Sequence, residues 1–114
     1  MGESLEILGP EGRKSFRTNL SLVELTAFAD GPPVKVRIDI LDDFGATLDT
    51  FETEVPVAGG VQLLDIFRAR GLGDGPTAAL IRVSPLSGLV GAFATTLDGG
   101  TNDPTYYGAV LGSR

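Results

Sequence analysis

The sequence predicts an all-β domain, a two-sheet antiparallel β-sandwich of seven to eight strands, and three observations support this prediction. Apolar and polar residues alternate along most of the apolar runs, which is the period-two pattern of a half-buried strand. The 16 Gly and 7 Pro residues separate these runs, as turn residues do. The length of 114 residues allows one core without disulfides or metal, so we expect a single domain over residues 1–114.

The clearest alternation covers residues 34–41. Its β-branched residues are predicted to face the core and its charged residues to face water: Val34, Val36, Ile38 and Ile40 inward, and Lys35, Arg37 and Asp39 outward. A turn at residues 42–45 and a run over residues 51–57, with Glu52 and Glu54 outward, complete a predicted hairpin. The run over residues 16–22 has the same alternating pattern, with Phe16, Thr18, Leu20 and Leu22 on its inward face.

The remaining strands are predicted from shorter runs. They cover residues 61–64, residues 77–83 with Ala79, Ile81 and Val83 on one face, and residues 105–111. A further strand over residues 89–97 is predicted with four residues on one face: Leu89, Phe93, Thr95 and Leu97. Residues 5–8 are a short candidate for the eighth strand.

One segment departs from the strand pattern, near Asp65–Arg70. Asp65 is predicted to cap the first amides of a short helical turn, and Gly71 to take the left-handed conformation at its end. We expect Ile66 and Phe67 to close one end of the sandwich.

Composition excludes several classes of function. The net charge of −6 opposes the phosphate neutralisation that nucleic-acid binding requires, so we expect no nucleic acid among the partners. No apolar run is long enough for a membrane-spanning helix, so membrane insertion is not expected. The absence of His and Cys removes the common catalytic triads and zinc sites. We therefore predict that the domain is not an enzyme and uses no cofactor.

Two groups of residues are candidate sites. Asp98, Asn102 and Asp103 in the loop over residues 98–104 carry the oxygen ligands that calcium prefers, although short polar side chains also fix turns by bonding backbone amides. We favour the turn. Phe44, Tyr106 and Tyr107 are the candidate contacts for a glycan or peptide, because aromatic rings and hydroxyl groups suit sugar rings.

Four segments of the sequence carry a resemblance to a known family: SFRTNLSLVEL, VKVRIDILDDFGATL, GVQLLDIFRARGLGD and LDGGTNDPTYYGAVL. Across residues 13–111 the chain resembles an immunoglobulin-like β-sandwich module of secreted and surface-exposed multidomain bacterial proteins. The resemblance implies an extracellular or cell-surface location. It carries over no functional residues.

Three functions remain open on this basis. The chain is predicted to be a non-catalytic structural or interaction module of a larger exported or cell-surface bacterial protein, in contact with neighbouring domains or another protein. The first alternative is a module that binds a glycan or peptide. The second is a metal-stabilised domain or a weak homo-oligomer formed through an open edge strand.

Overall fold

The computed structural model describes residues 4–10, 16–25, 32–57, 59–72, 79–101 and 103–111. These residues form nine strands and one short helix: β1 (Leu5–Leu8), β2 (Phe16–Glu24), β3 (Val34–Leu41), β4 (Thr47–Val55), β5 (Gly60–Leu63), α1 (Ile66–Ala69), β6 (Leu80–Pro85), β7 (Val90–Asp98), β8 (Pro104–Gly108) and β9 (Val110–Leu111). Within the described ranges, no helix has the length and apolar character needed to cross a membrane.

The strands form two antiparallel sheets. The five-stranded sheet has the order β4-β3-β6-β1-β9, and the four-stranded sheet has the order β5-β2-β7-β8. Buried residues of β1, β2, β3, β6 and β7 join one hydrophobic cluster between the sheets. The predicted two-sheet antiparallel sandwich is therefore confirmed.

The strand order has two pairings in common with the immunoglobulin constant-type sandwich. There, as here, the second strand lies beside the fifth and the third beside the sixth. In this chain β7 lies beside β2, whereas the seventh immunoglobulin strand lies beside the sixth.

The inward faces of β2, β3 and β6 agree with the sequence prediction. All the residues predicted to face inward are buried in β3, and in β6 Ile81 and Val83 are fully buried. The hairpin is also confirmed: Asp42 Oδ1 accepts hydrogen bonds from the backbone amides of Phe44 and Ala46, at 2.9 Å each, and so fixes the turn. β4 ends at Val55, so Val57 lies beyond the strand.

The residues predicted to share one face of β7 do share it, and that face is the outward one. Val90, Ala94 and Thr96 are buried, whereas Phe93 is 42% exposed and Leu89 also lies largely in solvent. The neighbouring strand is the reason: Leu20 lies opposite Ala94 in the β2–β7 register. The large inward side chains of β2 leave room only for small inward side chains on β7. The larger residues of β7 therefore face outward.

The end of the chain forms two strands where one was predicted over residues 105–111. β8 pairs with β7 in the four-stranded sheet, and β9 pairs with β1 in the five-stranded sheet. The chain therefore crosses from the four-stranded sheet to the five-stranded sheet at Ala109, and Ala109 packs against the core. With β1 also present, the described residues contain nine strands against the seven or eight predicted.

The helical segment is present, but Asp65 does not cap it. Asp65 takes a left-handed conformation, makes no side-chain cap hydrogen bond, and instead bonds its carboxylate to Arg68. The C-terminus behaves as predicted. Gly71 has a φ of 75°, its amide donates to Arg68 O, and the Leu72 amide donates to Phe67 O, the pair of bonds that defines a Schellman motif. Ile66 and Phe67 are 1% exposed, which confirms their predicted burial.

Candidate functional site

The most distinctive surface is the outward face of the four-stranded sheet. Strand register places two rows of side chains across it. In one row Phe93 of β7 lies between Ser21 of β2 and Gly108 of β8; in the next, Thr95 lies between Asn19 and Tyr106. We call these residues, together with Val23, Leu97 and Arg17 on the same face, the neutral face.

The neutral face exposes apolar and aromatic groups to solvent. Phe93 is 42% exposed, Tyr106 is 71% exposed, and Val23 is exposed as well. Among the outward positions of its four strands, Arg17 alone carries a charge, and it lies in the last row, opposite Leu97. A surface with few charges and with exposed aromatic side chains has the composition of the core of a protein interface.

The outward face of the five-stranded sheet is charged. Lys35 lies opposite Glu54, and Arg37 lies opposite Glu52, in the β3–β4 register. Arg82 Nε donates to Glu6 Oε2 at 3.1 Å between β6 and β1. The two outward faces of the sandwich therefore differ in chemistry, with the ion pairs gathered on one of them.

Asp39 on this charged face corrects one prediction. It was expected to point to water, but it is 4% exposed. Its Oδ1 accepts a hydrogen bond from Thr50 Oγ1 at 2.8 Å, and its Oδ2 accepts from Arg37 Nε at 3.2 Å. These hydrogen bonds compensate for the burial of the carboxylate.

The structure does not bring the three predicted aromatic contacts together. Phe44 is 92% exposed in the β3–β4 turn of the five-stranded sheet. Tyr106 and Tyr107 are consecutive in β8 and so point to opposite faces: Tyr106 lies on the neutral face, and Tyr107 packs against the core. No shared glycan or peptide surface is formed by these three side chains.

In the predicted calcium loop, Asp98 fixes a turn. Its Oδ1 accepts a hydrogen bond from the Gly100 amide at 2.8 Å, and its backbone amide donates to Asp103 O at 3.1 Å. Asp103 is exposed, and its amide donates to Thr101 Oγ1 at 3.3 Å. Asn102 lies outside the described residues. In the part of the chain that the structure covers, no three acidic side chains gather as a metal site would require.

A shallow groove of about 440 Å³ lies where the edges of the two sheets diverge beside α1. Its walls include Phe51, Leu63 and Leu64, and Arg70 lies at its rim. The Arg70 guanidinium lies 4.2 Å from the centre of the Phe51 ring, and its Nε donates to Asp49 Oδ2 at 2.6 Å. The hydrogen bond to Asp49 raises the pKa of Arg70. These contacts hold α1 against β4.

Sequence reasoning missed the neutral face. The alternation places Phe93 on the same face as Leu89 and Leu97, and the large apolar side chains of that face gave no indication that it lies in solvent. The pattern of β2 contained a usable signal, because its outward residues from Asn19 to Val23 include no charge. That signal was not sufficient, since the partners of β2 in the sheet depend on register and connectivity.

Comparison with known proteins identifies a shared fold. No protein-family model matches the sequence, and no curated protein matches it. The crystal structure of Thermotoga maritima 1070 is similar, with a TM-score of 0.63 over 99% of this chain and 96% of that chain, at 16% sequence identity. At this identity, the likeness shows the fold alone.

Proposed function

We propose that this domain is a non-catalytic interaction module of a larger exported or cell-surface bacterial protein, and that it binds protein through the neutral face. The partner surface is folded, uncharged and partly apolar, and it belongs to a neighbouring domain or to another protein. The observation that carries the proposal is the exposure of Phe93 and Tyr106 on a face whose only charge is Arg17, in a domain of net charge −6.

The distribution of charge supports protein as the ligand. An acidic or basic partner needs opposite charges, and the neutral face supplies one cation, in its last row. A flat apolar partner requires only contact area and the displacement of water from side chains such as Phe93. The exported location rests on the family resemblance, and the non-catalytic role rests on a sequence without His or Cys.

Site-specific photocrosslinking in the cells that make the protein tests this function. The photoreactive residue p-benzoylphenylalanine replaces Thr95 on the neutral face or, as the control, Glu52 on the charged face. Thr95 is expected to give a discrete protein adduct on illumination, and Glu52 is expected to give little. Equal adducts from both positions, or none from Thr95, would contradict the proposal.

A further inference from the structure

We infer that the partner of the neutral face is a second copy of this chain, which forms a weak two-fold dimer with the four-stranded sheets packed face to face. The inference rests on the proposed function and names its partner. Aligned packing of two sheets about 10 Å apart is a common way for sheets to bury their faces.

The distribution of charge makes the neutral face the least repulsive contact between two copies. Each chain has a net charge of −6, so two copies repel one another in most orientations. Contact through the neutral faces reduces this repulsion without removing it, because Glu6, Glu52 and Glu54 lie on the opposite sheet of each copy. A two-fold axis also makes the surface its own partner, so that exposed apolar groups on both chains are covered at once.

The relief of the neutral face suits such a contact. Phe93 projects from β7 between Ser21 and Gly108, which have much smaller side chains. Space around Gly108 is open, since a Cβ atom at this position would meet no other atom within 4 Å. The fold therefore does not require glycine there, and the hollow beside Phe93 is free to receive a side chain from the facing copy.

The neutral face is small for a protein interface. Four strands about 4.8 Å apart, each about seven residues long at about 3.3 Å per residue, give a flat area of roughly 450 Å². Stable interfaces bury about 800 Å² on each partner. The dimer is therefore expected to be weak and transient.

Sedimentation equilibrium on the chain from about 10 μM to about 1 mM tests the dimer. Phe93→Lys is expected to lower the association constant roughly tenfold or more, because it places a charge at the centre of the contact. Leu8→Lys is the matched control, because Leu8 is exposed on the five-stranded sheet and both substitutions change the net charge by the same amount. The association constant of this variant should stay within about twofold of that of the unmodified chain. Tyr106→Ser is a second neutral-face variant, in case Phe93→Lys does not fold.

Salt gives an independent test. Raising the ionic strength shortens the screening length, to about 8 Å at 0.15 M and about 3 Å at 1 M, so the repulsion between two acidic chains falls. The dimer should therefore become stronger with added NaCl. A dimer held by ion pairs of the charged face would become weaker, and that result would overturn the inference.

The outcomes separate this inference from the proposed function. A chain that is monomeric at about 1 mM, or equal losses in Phe93→Lys and Leu8→Lys, overturns the dimer. If Thr95 then crosslinks to a different protein, the proposed function stands without the dimer. If Thr95 gives no adduct and the chain is monomeric, both are wrong.

Discussion

The side-chain oxygens of Thr18 and Thr96 lie 2.8 Å apart inside the sandwich, and both residues are buried. They are direct partners in the β2–β7 register. Each hydroxyl thus supplies a hydrogen-bonding group to the other in a region lined by aliphatic side chains. The pair ties the orientation of β7 to that of β2, because rotating either strand would separate the two hydroxyl groups and bury them apart.

A double-mutant cycle should reveal this coupling. Thr18→Val and Thr96→Val are each expected to lower the free energy of unfolding by about 1 to 3 kcal/mol, because each removes one side of a buried hydrogen bond. The double variant should lose less than the sum, by about 0.5 kcal/mol or more. Urea denaturation measures all three, and strict additivity would show that the bond contributes nothing.

Sequence patterns predicted the fold where large aliphatic residues alternate. In β3, Val36, Ile38 and Ile40 leave one choice of inward face, because the alternate residues are charged. One of these, Asp39, is nevertheless buried, and it has a hydrogen-bond partner there. Period two gives alternation in any strand. It identifies the inward face only when the two sets of residues differ clearly in polarity.

β7 lacks that difference, and this is why its orientation and the neutral face were not predicted. Before Asp98 at its end, both sets of its residues are apolar or weakly polar, and the inward set has the smaller side chains, with Ala94 and Thr96. Its orientation follows from contact with Leu20 and Thr18 of β2, which are distant in sequence. The division of the last strand between two sheets has the same origin, since it depends on how the sheets close.

Ile38 is expected to be a major contributor to stability. It is fully buried in β3 and lies opposite Phe51 and Val83 on the two neighbouring strands. Ile38→Ala should lower the free energy of unfolding by about 2 to 5 kcal/mol, since it removes buried methyl groups and leaves a cavity. The control Lys35→Ala, exposed on the same strand, should change it by less than about 0.5 kcal/mol. Similar effects of the two variants in denaturant unfolding would contradict the assigned core.

Gly9 is required both by its backbone and by its neighbour. Its φ is 114°, and a Cβ atom there would lie 2.8 Å from Tyr107 Cε1. Gly9→Ala should therefore cost about 2 to 4 kcal/mol, from backbone strain and overpacking together. Gly71→Ala is the control, because Gly71 also has a positive φ but its Cβ would meet nothing within 4 Å. It should cost only about 1 kcal/mol.

A second variant separates the two contributions at Gly9. Tyr107→Ala removes the ring that an alanine at position 9 would meet. In that background Gly9→Ala should cost less than in the unmodified chain, since only the backbone strain at a φ of 114° remains. Thermal unfolding of the four proteins measures this, and an unchanged cost at Gly9 would show that Tyr107 is not the obstacle.

The loop after β7 should depend on Asp98 and not on calcium. Asp98→Ala removes the acceptor for the Gly100 amide and should lower the free energy of unfolding by about 0.5 to 1.5 kcal/mol. Asp103→Ala should have a smaller effect, because the hydrogen bonds of Asp103 in this turn use its backbone amide and carbonyl, which alanine retains. Calcium at about 5 mM should leave the melting temperature of the unmodified chain unchanged. A ligand that binds only the folded state would raise that temperature by mass action, so a rise of several degrees that both variants abolish would establish a cation site in this loop.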